Sequence, residues 1–181
     1  RSYRLNGTEY LKGGAFRPTF YEDNPDPWGM GWFQLSGMGR NGAPFALMDV
    51  PAGECIKEGP FVGMKPIQVM EDGALCTVVE CFFRRENTFV RMEYTLYKMR
   101  SAVDVRADVF MGDADRMLKL ALPLTDCGDV IGQTAFGTEV LYRDGRENVA
   151  QRFVGLRGDD GCVTALFNRG TYGSSYEGGV L

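Results

Sequence analysis

The chain has 181 residues, 44% of them hydrophobic and 24% charged, which fits one soluble-type domain able to bury roughly 70% of its unfolded surface without a metal or disulfide. Its formal net charge of −4 comes with no basic stripe, which argues against nucleic acid as a partner. No apolar run approaches the roughly 20 residues of a membrane span, no signal peptide opens the chain, and the complete absence of histidine removes Ser-His-Asp and Cys-His nucleophiles and the commonest zinc ligand.

In chain order, Ser2 to Lys12 mixes Tyr3, Leu5, Tyr10 and Leu11 with polar residues and predicts a short edge strand or an extended arm. Tyr21 to Trp32 holds Pro25, Pro27, Gly29 and Gly31, so it is a loop, and it carries Glu22, Asp23, Asp26, Trp28 and Trp32. From Phe33 to Gly63 the sequence is glycine-rich, with one short strand expected at Phe45 to Val50. Ile67 to Glu71 and Ala74 to Phe83 read as paired strands around Glu71-Asp72-Gly73. The second is apolar on both faces, with Leu75, Val79 and Phe83 on one and Cys76, Val78 and Phe82 on the other, as in a central strand.

The stretch from Phe89 to Leu124 organises the rest. Val90, Met92, Tyr94 and Leu96 alternate with Arg91, Glu93 and Thr95, and Val103, Val105, Ala107 and Val109 alternate with Asp104, Arg106 and Asp108. Lys98 to Ser101 is the hairpin loop between these two strands, and Leu118, Leu120 and Leu122 make a third strand of the same meander. Beyond it, strands are expected at Thr134 to Tyr142, Gln151 to Leu156 and Cys162 to Phe167, with a turn at Arg143 to Arg146. Turn signals every eight to twelve residues and no helical periodicity predict an all-β fold, an antiparallel β-sandwich with little or no helix, as a single domain over 1–181. The chain opens at Arg1 and closes on the apolar pair Val180-Leu181, so an excised fragment of a larger multidomain enzyme is expected.

Cys55, Cys76, Cys81, Cys127 and Cys162 form an odd set without Cys-x-x-Cys spacing, read as reduced structural thiols in a reducing, cytoplasmic compartment. Asp104 and Asp108 sit about 13 Å apart on one strand face, too far for a shared site, and are expected to pair with Arg91 or Arg106. Glu22, Asp23 and Asp26 are closer together, but beside prolines and Asn24 they also suit turn hydrogen bonding. Trp28 and Trp32 can offer indole platforms to a sugar ring, or can plug the end of a sandwich. Gly112-Asp113-Ala114-Asp115 lacks the further ligands of a calcium loop, and Gly37-Met38-Gly39 lacks the strand and helix of a phosphate cradle.

Three stretches together resemble the central β-sandwich of glycoside hydrolase family 38 α-mannosidases. Arg116-Met117-Leu118-Lys119-Leu120-Ala121-Leu122-Pro123 resembles a family strand that follows a hairpin like Tyr94 to Val109. Ala135-Phe136-Gly137, Gly145-Arg146-Glu147 and Gln151-Arg152-Phe153-Val154 resemble the next hairpin, and Asn168 to Gly173 with Gly178 to Leu181 resembles the closing stretch. The Tyr21 to Trp32 loop is similar to the family's acidic, tryptophan-rich segment, although Gly29 and Phe33 stand where Asp follows each tryptophan in the family.

The resemblance implies a galactose-mutarotase-like supersandwich that packs against a catalytic domain absent here. In the family that missing domain carries the zinc, the nucleophile and the acid, so no catalytic residue, metal site or cofactor is implied for this chain. The expected role is a non-catalytic scaffold of a retaining α-mannosidase-like hydrolase, with the missing catalytic domain as partner and self-association through an exposed docking face. The alternative is a carbohydrate-binding module holding glycan at Trp28, Trp32, Asp23 and Asp26. A complete small sugar epimerase is the third reading, and without histidine it would need Tyr142, Glu139 or Glu147 for acid-base work.

Overall fold

A computed structural model describes residues 3–5, 7–23, 42–125, 128–159, 161 and 163–181. Strand accounts for 55% of the structure and helix for 2%, so the all-β expectation holds. Among the described residues the strands pair antiparallel, and the helical share is one 3-10 turn at Gly59–Phe61. Two compact units form, one from Arg1–Ala43 with Met117–Leu181 and the other from Pro44–Arg116.

The first unit opens with β1 (Tyr3–Leu5) and β2 (Thr8–Leu11), a hairpin, followed by β3 (Arg17–Glu22). The chain then reaches β4 (Ala43–Pro44) and enters the second unit with β5 (Ala46–Leu47), β6 (Ile67–Asp72), β7 (Cys76–Arg85), β8 (Thr88–Tyr97) and β9 (Val103–Phe110). It returns with β10 (Arg116–Ala121), β11 (Asp129–Thr134), β12 (Gly137–Val140), β13 (Glu147–Val149), β14 (Phe153–Arg157), β15 (Val163–Phe167) and β16 (Gly173–Ser175).

In the second unit β7 is central, flanked by β8 and β9 on one side and by β5 and β6 end to end on the other. The register of β8 and β9 keeps the two alternating sets on separate faces, although Leu96 and Val109 of the apolar set are exposed. Val90 faces Val109, Met92 faces Ala107 and Tyr94 faces Val105, while Arg91 faces Asp108 and Glu93 faces Arg106 on the opposite face. Val90 and Met92 are fully buried. At the other face, near the β7–β8 turn, Phe82 packs with Met48, Ile56, Phe61 and Phe89.

That turn is only two residues long, Glu86-Asn87, with Glu86 in the left-handed region at φ 51°. A clasp holds it. The hydroxyl of the fully buried Thr88 donates to Asp113 Oδ2 at 2.7 Å and accepts from the Gly112 N–H at 3.1 Å. Asn87 adds its backbone N–H at 3.1 Å and its side-chain amide at 3.0 Å to the same carboxylate. A Cβ on Gly112 would lie 2.3 Å from the Asn87 carbonyl oxygen, so only glycine admits this approach.

The Thr88 bond, then those from Asn87, hold the Asp113 carboxyl below the usual carboxylate range. A depressed folded-state value means the stabilisation is present above the unfolded pKa of about 4 and is lost as pH falls through the folded value. Asp113→Asn is therefore expected to melt below the wild type at neutral pH, with the difference closing as the pH drops below about 4. Thermal melts of both proteins across that range check it, and a pH-independent gap would refute the charge-based role.

The third strand expected in the meander leaves it. Sheet order places β3 between β10 and β4, so β10 pairs with β3 rather than with β9. In the first unit Leu11, Leu122, Leu124, Val130, Ala150, Val154, Leu156 and Tyr176 form the core. Leu122 exchanges backbone hydrogen bonds with Leu181 at 2.8 and 3.0 Å, and Lys12 N–H bonds the Pro123 carbonyl at 2.9 Å. The segment after β10 is thus bracketed by the end of β2 on one side and by Val180-Leu181 on the other. Thr134 to Tyr142, read as one strand, instead crosses a hairpin turn, with Thr134 ending β11 and Gly137–Val140 forming β12. Cys55, Cys76 and Cys81 are free thiols, whereas Cys127 and Cys162 lie outside the described residues.

Candidate functional site

Of the four residues expected to hold a sugar, Asp23 is described. It directly follows β3 and is half-buried, while Trp28, Trp32 and Asp26 lie outside the described residues. Tyr21, near the end of β3, adjoins a polar cluster the sequence did not reveal. Tyr21 on β3 lies with its ring 5.6 Å from the Lys119 ammonium of β10. Lys119 Nζ donates to Glu147 Oε2 of β13 at 2.7 Å and to Ser175 Oγ of β16 at 3.1 Å. Glu147 and Ser175 stand directly opposite each other in the β13–β16 pair. A Cβ on Gly173 would come 2.6 Å from Glu147 Oε1, so glycine there leaves the carboxylate its space.

Both charged groups are only about one-fifth exposed, and burial pushes the Tyr21 phenol above its usual range, so it is a neutral hydroxyl at physiological pH. An ammonium, a carboxylate and two hydroxyls of this kind can bond the hydroxyls of a polar ligand. The carboxylate is already paired with the ammonium, so the cluster holds no free acid and base facing each other.

The second unit carries an open cleft of about 850 Å³. Leu47, Met48 and Ile56 give it apolar lining, and Glu58 and Arg84 form an ion pair on it. Lys57 bonds Glu54 at 2.5 Å, and Arg85 donates to the Pro44 carbonyl at 3.2 Å. Sequence periodicity could not find this cleft, because its wall from Met48 to Glu58 has no regular element.

Asp104, Asp108, Glu139 and Glu147, weighed in sequence, each have partners of their own. Asp108 bonds Arg91 at 3.4 Å and Arg106 at 3.0 Å, as expected, whereas Asp104, expected on the same arginines, instead takes the Tyr97 hydroxyl at 2.6 Å and Arg100 at 3.3 Å. Glu139 contacts the Thr134 hydroxyl at 3.4 Å, whereas Glu147 belongs to the Lys119 cluster and Tyr142 stacks under Arg146 at 4.2 Å. The chain has no histidine, and among the described residues no three Cys, Asp or Glu side chains gather as a ligand set.

Residues 2–181 match the family described as Glycosyl hydrolases family 38 C-terminal domain. No curated protein matches the chain.

Proposed function

This chain belongs to the glycosyl hydrolases family 38 C-terminal domain family, and from that premise we propose that it is the non-catalytic β-domain of a retaining, α-mannosidase-like hydrolase. It would support a separate catalytic domain and leave the bond-breaking chemistry to it. The match across residues 2–181 carries the reading. The ion pairs of Glu80, Asp108 and Glu147, the hydrogen bond of Asp104 to Tyr97 and the turn clasp of Asp113 support it, because retaining hydrolysis needs two carboxyl groups free to act on one bond.

Carbohydrate binding is the companion reading, favoured by the neutral Tyr21 hydroxyl and by the Lys119–Glu147–Ser175 cluster that Tyr21 adjoins near the end of β3. Two measurements separate them. The purified chain is expected to leave an aryl α-mannoside uncleaved, and turnover that persists in the purest fractions would overturn the non-catalytic reading. Intrinsic fluorescence from Trp28 and Trp32, titrated with mannose and short α-mannosides, is expected to stay unchanged for a pure scaffold. A saturable change lost in Lys119→Met would move the function to sugar binding.

A further inference from the structure

β9 is the last strand of its sheet, and among the described residues no strand pairs with its outer edge. Such an edge presents rows of N–H and C=O groups that another strand can take up. The two-residue turn makes Arg85 and Thr88 a mutually bonded pair, which sets the alternation across the sheet. Phe82 accordingly bonds outward on the far edge of β7, to Pro66 and Met48. By the same alternation Asp104, Arg106, Asp108 and Phe110 bond inward to β8, and Val103, Val105, Ala107 and Val109 turn their backbone groups outward.

We propose that β9 pairs antiparallel with β9 of a second copy of this chain, with Ala107 opposite Ala107 on the twofold axis. The occupant follows from charge complementarity. A self-pairing that keeps each face of the sheet on its own side must centre on a residue of the strand. Centring on Arg106 sets it against itself and Asp104 against Asp108, and centring on Asp108 sets that carboxylate against itself. Centring on Val105 pairs Asp104 with Arg106 but overlaps only Val103 to Ala107. Centring on Ala107 sets Arg106 against Asp108 on both sides of the axis, sets Val105 against Val109, and brings Val103 to Met111. That register uses almost the whole strand, places outward-facing residues opposite one another, and covers the exposed side chains of Val109, Phe110 and Met111.

Sedimentation velocity of the whole chain across the micromolar range tests this. A single strand edge is a small interface, so a dimer dissociating at micromolar concentration is expected. Ala107→Pro removes an outward N–H and no bond within the sheet, so this variant is expected to be a folded monomer with unchanged circular dichroism. Arg106→Glu places like charges at both symmetric positions and is expected to weaken the dimer about tenfold or more. A wild-type chain that stays monomeric at high micromolar concentration overturns the proposal. So does a dimer that persists in Arg106→Glu or in folded Ala107→Pro, since it would lie on another face.

Discussion

Truncating Phe82 to alanine is expected to cost about 4 kcal/mol, the largest effect of any single change considered. The side chain is fully buried, and its ring lies 4.7 Å from that of Phe61, with Met48, Ile56 and Phe89 completing the cluster. Its backbone N–H and C=O hold Pro66 and Met48 in place along one edge of β7. Removing the ring deletes buried surface and leaves a cavity that these neighbours can fill only by moving the cleft lining, since Met48 and Ile56 are part of it. The melting temperature of the chain should fall by about 10 °C. Phe82→Leu, which keeps most of the volume, should cost only about 1 kcal/mol. A loss for the alanine variant no larger than for leucine would show that the ring is not enclosed as described.

Arg91→Met is expected to cost about 3 kcal/mol through a different mechanism. Directly across from Phe82, Arg91 pairs with the carboxylate of Glu80, which is only 3% exposed, and reaches Glu93 at 3.3 Å and Asp108 at 3.4 Å. Without the guanidinium, Glu80 keeps only the Gln68 amide, at 2.8 Å, among the partners described. A buried carboxylate left with one neutral donor is costly, whereas removing both charges together is not. The double variant Arg91→Met with Glu80→Met should therefore recover most of the loss, and urea unfolding of the two single variants and the double variant measures it. A double variant as unstable as the sum of its parts would show that the pair does not act as a unit.

The charged face of β8 and β9 is where sequence and structure agree most closely. Alternation of Arg91 and Glu93 with Val90 and Met92 is a local property, and it restricts the register of the β8–β9 pair. The expected pairing of Asp108 with Arg91 and Arg106 needs only that register. The Gly112-Asp113 segment was legible as a poor calcium loop but not as a clasp, because its partners Asn87 and Thr88 lie about 25 positions earlier. The Lys119–Glu147–Ser175 cluster was hidden for the same reason. Its members stand on three strands, two of which, β13 and β16, are too short to show a period. β3 was missed because Pro18 interrupts a six-residue run that carries no alternation.

The all-β class, the alternation that separates the two faces of β8 and β9, and the family resemblance are legible in the sequence. Each of these rests on period two, turn chemistry or the order of motifs, and each is readable along the chain. Only the tertiary structure decided that β10 leaves β9 to lie beside β3, that Val180-Leu181 closes against Leu122, and that Lys119 is neutralised by Glu147. Those choices depend on which distant edge satisfies the backbone and which distant charge offsets burial, and no local pattern encodes the answer to either.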